Sequence, residues 1–273
     1  MSAVTPEMVD EWRKAIGRER IEYQQLEKGA FRRYALAVGL QDEAAPVPLP
    51  HWAFFLPSPA DAELGLDGHP RKGGFLPAIP LPRRMFASSR ITFEGPLDTG
   101  YEGQLTSTIA EVTHKSGRSG DLVFVDVDRV LVQEGSVRVR ERQSYVYRSA
   151  SDGAPSSMPE PVAETPEGEV WQPGEVNLFR FSAATFNSHR IHYDLPYATG
   201  VEGYPALIVH GPFTAAKLAA LAARDGALAS FSFRALAPIF LGQPVYLRKV
   251  AETEVEAVRC DGATAMSAEV TYK

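Results

Sequence analysis

The sequence predicts an α+β fold in two halves, each an antiparallel β-sheet laid over one helix. Three observations carry this. Residues 88–148 fall into four β-rich, partly alternating runs with glycines between them: "SRITFEGPL", "YEGQLTSTIAEVTHK", "DLVFVDVDRVLVQEG" and "SVRVRERQSYVYR". Residues 212–226, "PFTAAKLAALAARDG", are apolar almost all round, the pattern of a helix buried in a core. Three more β-rich runs follow that helix, so the helix-then-sheet order of the first half recurs in the second.

Each element has its local reason. Thr5-Pro6 offers a capping hydroxyl and a proline at the first helical position, Val9, Trp12 and Ile16 keep helical spacing, and Gly17 stops the helix. "LEKGAFRRYALAVGL" reads as a second helix with Phe31, Tyr34, Ala35 and Val38 on one face and Gly39 closing it. From about 41 to 87 the chain is too rich in proline for regular elements, yet Trp52, Phe54, Phe55, Phe75 and Phe86 predict an ordered, packed segment. Within 88–148, "LVFVDVDRVLV" is branched enough for a central strand. "SASDGAPSSMPEPVAETPEGE" is a polar linker, and 171–211 reads as irregular. "ALASFSFRAL", "QPVYLRKVAETEVEAV" and "TAMSAEVTY" are the strands of the second half. The expected division is 1–150, a linker at 151–170, and 171–273. A helix wrapped by a curved antiparallel sheet is the hotdog arrangement, and two in one chain make a double hotdog.

Composition narrows the function. A chain of 273 residues can bury a substantial core. A net charge of −6 argues against nucleic acid as a partner. No run of about 18 apolar residues suggests a membrane span. Cys260 stands alone, which excludes an intrachain disulfide and fits a reducing cytoplasm. The start "MSAVTPEMVDEWRKAIG" lacks the basic and apolar regions of a secretion signal.

The chemistry concentrates in "FNSHRIHYDLPYA". Only six histidines exist in the chain, and His189, His192 and His210 fall in one short window. "IHYDLPYA" followed by "VHGPF" resembles the motif of MaoC-like, (R)-specific enoyl-CoA hydratases, D-x-N-P-[LIV]-H-x-D-x-x-Y-A and then H-G. His192, Asp194, Tyr197, Ala198, His210 and Gly211 match it. Asn187 stands where that family has an aspartate, and His189-Arg190 replace Asn-Pro. The longer stretches "FSAATFNSHRIHYDLPYATGVEGYPALIVHGP" and "FLPAIPLPRRMFASSRITF" are similar to two-domain hydratases of C5 dicarboxylic CoA thioesters, mesaconyl-C4-CoA and itaconyl-CoA. The resemblance implies a double hotdog whose N-terminal half is degenerate and whose C-terminal half carries catalysis. It also implies a CoA-thioester substrate, citramalyl-CoA as product, a place in itaconate or related catabolism, and no cofactor or metal.

Hydration of a conjugated thioester sets its own demands. Water must lose a proton as it attacks the β-carbon, enolate charge on the thioester oxygen must be held, and the α-carbon must gain a proton. His192 is the expected base, because imidazole titrates near neutrality. Asn187 cannot transfer protons in that range but can orient the water through its amide. Asp194 is the nearest second proton carrier, although capping the short helix at "LPYATG" fits it equally. Gly211 opens the buried helix, where a backbone N–H and the dipole favour enolate charge. Arg190 can grip the free carboxylate of a dicarboxylic substrate through two hydrogen bonds. His189, Tyr197 and His210 are expected to line the substrate, and Arg83 and Arg84, with Arg71 and Lys72, to meet the CoA phosphates. For His189 an exposed turn is an open alternative, for Asn187 a turn residue, and for His210 the positioning of the Gly211 turn.

Three rivals stand beside this reading. One is a thioester dehydratase of broader acyl range. Another is a non-catalytic acyl-CoA-binding protein on the same fold, which the Asn187 departure keeps open. The third is a 2-His-1-carboxylate iron site from His192, Asp194 and His210. A homo-oligomer is open as well, because hotdog sheets pair edge to edge.

Overall fold

The computed structural model describes residues 4–40, 46–117, 120–149 and 157–273. Part of the expected linker, 150–156, and the start of the proline-rich segment, 41–45, lie outside these residues.

Helix α1 (Pro6–Arg13) starts as its sequence predicts: the Thr5 side chain accepts from Met8 N–H, and Val9 and Trp12 are buried. Strand β1 (Glu19–Gln25) follows and pairs with β3 (Glu102–Gly117). Strand β1 carries little sequence signal. It is an edge strand whose two large apolar side chains, Ile21 and Tyr23, are exposed, so its alternation has no burial behind it. Helix α2 (Lys28–Ala37) follows, and then a 3-10 turn at Pro50–Ala53 against which it packs. The aromatics of the proline-rich segment are packed: Trp52, Phe54 and Phe55 are buried, and Phe31 stacks on Phe54.

Strands β2 (Arg83–Phe93), β3, β4 (Gly120–Gln133) and β5 (Ser136–Arg148) form the first sheet region. β2 begins five residues before the predicted strand, which places Arg83 and Arg84 on it rather than in the irregular segment. In the second half come β6 (Glu169–Trp171), β7 (Leu228–Ala235), β8 (Val245–Ala251), β9 (Glu254–Arg259) and β10 (Thr264–Tyr272). The segment read as one strand, "QPVYLRKVAETEVEAV", is a hairpin: Ala251 pairs with Glu254 across a tight turn at Glu252 and Thr253. The apolar alternation runs on through the turn, which hid the break.

The strands among the described residues join one ten-stranded antiparallel sheet in the order β1-β3-β4-β5-β2-β7-β10-β9-β8-β6. The halves meet where β2 pairs with β7, Ile91 opposite Phe231. Helix α5 (Gly211–Ala222) is buried along nearly its whole length and packs on β7, β8, β9 and β10. Its small residues Ala215, Ala216, Ala219 and Ala222 let the curved sheet close on it. A main core runs from Trp52 and Ile91 through Phe231 to Phe213, and a second cluster lies under α1 around Trp12, Ile109 and Tyr147.

The stretch 171–211, expected to be irregular, holds helix α3 (Glu175–Ala184), a 3-10 turn at Arg190–His192 and helix α4 (Leu195–Gly200). α3 was hard to read because Val176 and Phe179 are exposed while Leu178 and Phe181 are buried, so apolar residues surround the axis instead of marking a face.

Candidate active site

The motif begins with a turn. Phe186 takes a left-handed backbone, φ 48°. The Asn187 side-chain oxygen accepts the His189 N–H at 3.0 Å, and the Asn187 N–H donates to the Ser182 carbonyl at 2.9 Å. Asn187 thus builds an Asx turn, with its amide NH2 left to whatever sits beside it. The 3-10 turn then carries His192 into the core, where it is 7% exposed.

His192 Nδ1 lies 2.8 Å from the Ile208 carbonyl. A carbonyl only accepts, so Nδ1 carries the proton and Nε2 presents its lone pair. Ile208 is itself fixed: its N–H donates to Ile191, and it bridges to Phe240. Burial, then the neighbouring His189, pulls the His192 imidazole down to about 3. It is therefore neutral at pH 7, the form a base needs.

His192 belongs to a stack of four imidazoles. Its ring faces His210 at 3.6 Å between centroids, and His210 immediately precedes Gly211 at the mouth of α5. On its other side His189 meets it edge-on at 5.4 Å, and His69 lies 3.9 Å from His189. His210 is fully buried, with Nε2 2.8 Å from Ser182 Oγ and Nδ1 unpartnered among the described residues. Burial lowers His189 to about 3, and holds His210 well below the usual imidazole value.

His69 was not among the expected residues. It reaches the site from the proline-rich segment of the N-terminal half, and its Nδ1 lies 3.0 Å from Asp67 Oδ2. Burial raises the Asp67 carboxyl, but the His69 hydrogen bonds and charge outweigh it, so Asp67 stays well below the usual carboxylate range. Burial lowers His69, against the pull of Asp67. The turn holding this pair is docked on the motif. Ser188 Oγ donates to the Gly68 carbonyl at 2.6 Å, Arg190 N–H to the Asp67 carbonyl at 2.9 Å, and Arg190 Nη1 to the Leu66 carbonyl at 3.0 Å. The sequence signal was "DGHP": an aspartate two residues before a histidine, with a glycine between.

The remaining expected residues are placed as follows. Asp194 caps α4 by accepting Tyr197 N–H at 3.0 Å, and its other oxygen takes Arg190 Nη2 at 2.7 Å. That guanidinium also lies over the Tyr197 ring at 4.1 Å, so Arg190 is engaged within its own loop. Tyr197 is buried, its hydroxyl 3.4 Å from Glu202. Arg83 pairs with Glu202 at 3.2 Å and covers Tyr204. Arg84 donates to the Pro70 carbonyl at 3.4 Å, and its charge acts on both His69 and His189. Lys72 donates to the Leu81 and Pro82 carbonyls, and Arg71 to Leu64. Each of the four is thus already engaged with a backbone carbonyl or an acid, and the charge of Arg84 also bears on Lys72. The iron-site rival is not assembled, since Asp194 turns to Arg190 and the α4 backbone. Among the described residues the grouping of possible metal ligands is Asp67, His69 and His189.

The geometry can take a proton at His192 Nε2, on a ring stacked against His210, the residue that precedes the buried helix α5. The model of the hydroxyacyl-thioester dehydratase type 2 family matches residues 49–241. A mesaconyl-C(4)-CoA hydratase of Chloroflexus aurantiacus is 46% identical over 232 residues, 82% of this chain and 82% of that protein. The fold is similar to the crystal structure of HtdX of Mycobacterium tuberculosis, with a TM-score of 0.67 at 20% identity, over 93% of this chain and 99% of that one. It is also similar to a second M. tuberculosis protein, described as a double hotdog, with a TM-score of 0.55 at 11% identity over 96% of each chain. No helix among the described residues is long and apolar enough to cross a membrane.

Proposed function

Since this chain belongs to the hydroxyacyl-thioester dehydratase type 2 family, a MaoC-like group with the double hotdog fold, we propose that it is a hydro-lyase adding water to a short enoyl-CoA with a second carboxyl group. Mesaconyl-C4-CoA is the substrate whose double bond is conjugated to the thioester. Itaconyl-CoA enters the same step once its double bond is shifted into that conjugation by loss of the proton between its two carbonyl groups and reprotonation at the terminal carbon, and both give citramalyl-CoA, with the cytoplasm the setting. The observation that carries the chemistry is the tautomer of His192: Ile208 holds Nδ1, so Nε2 presents its lone pair, on a ring stacked against the residue that precedes α5.

In this reading His192 Nε2 receives the proton of the attacking water as its oxygen bonds to the β-carbon. The Gly211 N–H, first in α5 and with no carbonyl one turn before it in the helix, meets the charge that develops on the thioester oxygen. An added Cβ at Gly211 would meet nothing within 4 Å, so no side chain crowds the backbone on that side of the helix start. The reaction adds the elements of water across a double bond with no net change of oxidation state, and calls for no redox cofactor. Because Arg190 is held by Asp194, we assign the second carboxylate to Arg84, whose positive charge bears on His69 and His189. Dehydration of 3-hydroxyacyl thioesters of broader range is the same chemistry run backwards, and the family name favours it as the second reading.

The test is a screen of C4 to C6 enoyl-CoAs with and without a distal carboxyl group, followed by loss of their near-ultraviolet absorbance. The expected result is turnover of mesaconyl-C4-CoA well above crotonyl-CoA, with Arg84→Gln raising KM for the dicarboxylic substrate alone. His192→Ala should lower kcat by about 1,000-fold while CoA affinity is kept. Preference for crotonyl-CoA would replace the dicarboxylic assignment with the broader one.

A further inference from the structure

Position 187 holds an amide where a proton-transferring carboxylate is needed, and Asp194 spends its carboxylate on a helix cap and on Arg190. The carboxylate that does reach the histidine stack comes from the other half of the chain. We infer that the Asp67–His69 dyad is the second proton-transfer group of the site, with His69 Nε2 serving the α-carbon and Asp67 positioning it. The inference rests on the hydratase reading above.

The geometry makes the case. Asp67 Oδ2 holds His69 Nδ1 at 3.0 Å, and Asp67 Oδ1 accepts the His69 backbone N–H at 3.0 Å, so the carboxylate fixes both ring and backbone. An ionised carboxylate only accepts, so Nδ1 carries the proton and Nε2 is the working atom, the same tautomer that Ile208 imposes on His192. The two supports differ in charge. Imidazolium on His192 would face a neutral carbonyl, whereas imidazolium on His69 is paired with an anion. The turn is seated firmly: Gly68 has φ +85°, and a Cβ there would lie 1.9 Å from the Ser188 carbonyl oxygen. The same residues form a possible metal-ligand grouping. Yet the His69 and His189 rings lie 3.9 Å apart, closer than two imidazoles sit when both point at one ion, and Asp67 is already turned to His69.

The proton count closes. The form that hydrates has His192 neutral and the dyad as imidazolium and carboxylate, a pair without net charge; burial and Arg84 hold the His69 proton affinity below the usual imidazole value, so this form fills as pH falls. His192 Nε2 takes a proton from water as the oxygen bonds to the β-carbon, and the double-bond pair moves onto the thioester oxygen. The enolate then re-forms its carbonyl as the α-carbon takes the proton from His69 Nε2. One proton is received and one given, solvent exchange restores the start, and dehydration reverses each step. The groups acting on His69 are Asp67, Arg84 and Glu202, with His189 stacked on its ring.

The experiment compares wild type, His69→Gln, Asp67→Asn and His192→Ala on mesaconyl-C4-CoA across pH, with near-ultraviolet circular dichroism to confirm folding. His69→Gln should lose about 100-fold or more in kcat with KM little changed. Asp67→Asn should move the alkaline fall of hydration to lower pH, because His69 loses the anion that holds its proton; a merely structural role would leave that limb in place. If His69→Gln does not fold, the pH limb of Asp67→Asn decides. Folded His69→Gln within threefold of an active wild type overturns the inference and leaves the hydratase reading intact. A wild type that bleaches none of the thioesters overturns both. Loss of wild-type turnover on chelation, restored by zinc, would assign Asp67, His69 and His189 to a metal and overturn the dyad.

Discussion

The imidazoles of His192 and His210 lie face to face, 3.6 Å between centroids and 21° from parallel. Two cationic rings could not share that space, so at most one of the pair carries a second proton at a time. Both are buried, and burial is the main cause of their lowered proton affinity. An unfolded histidine takes a proton as pH falls through about 6.5, while these do not until far lower. The folded state therefore loses stability with falling pH, from the unfolded value near 6.5 down to about 3 for His192. Each such group contributes a slope of about 1.4 kcal/mol per pH unit in that window. Urea midpoints measured at pH 7, 6 and 5 should fall steadily. A flat profile would mean that the rings are not buried together.

Asp194 should prove structural. Asparagine caps helices as well as aspartate does, so Asp194→Asn keeps the bond to Tyr197 N–H and loses only the charge facing Arg190. We expect kcat within about threefold of wild type, on the ground that surface ion pairs contribute little. A loss of two orders of magnitude would give the carboxylate a part in the chemistry after all.

Gly68→Ala should uncouple the two halves of the site. The added methyl meets the Ser188 carbonyl at 1.9 Å, and its φ of +85° is strained for alanine. Either the turn or the motif loop must move. The expected cost is about 2 kcal/mol in stability, together with a fall in kcat larger than that of Gly74→Ala, where an added Cβ meets nothing within 4 Å. Equal effects of the two substitutions would show that the docking is loose.

Glu141 anchors the core of the N-terminal half. It is 3% exposed, and Oε1 accepts from Trp52 Nε1 at 3.0 Å and Ser89 Oγ at 2.8 Å. Oε2 faces His51 at 3.3 Å and Arg129 at 3.6 Å. Burial raises its carboxyl, but His51 and Arg129 outweigh this and bring it to about 2. The stability it confers is present above the unfolded value of 4.5 and is lost as pH falls from there toward 2. Glu141→Ala strips the acceptor from Trp52 and Ser89 and leaves Arg129 without its partner in the core, at a cost of about 3–5 kcal/mol. Thermal unfolding reads this directly, and a change under 1 kcal/mol would remove Glu141 from that role.

How much was legible in advance follows from the range of each interaction. α5 was readable because its apolar residues leave no polar face, and β3, β4 and β5 because long alternating runs lie between glycines. The hairpin at Glu252 was not, since its pattern runs through the turn, and α3 was not, since half of its large apolar residues point outward. Within the site, the residue types of the motif were visible, but not which of them were already occupied. Arg190 and Asp194 satisfy each other, a fact set by the geometry of one 3-10 turn.

The sequence by itself determined the two-half α+β organisation, the buried helix and the histidine that carries the proposed proton chemistry, because these rest on periodicity and side-chain type within short windows. Only the tertiary structure decided which tautomer His192 holds, that His210 stacks on it, and that Asp67 and His69 join His189 from more than a hundred residues away. Hydrogen bonds and ring contacts act over a few ångströms in space. The sequence sets the separation of their partners along the chain, and only the folded chain brings them within that reach.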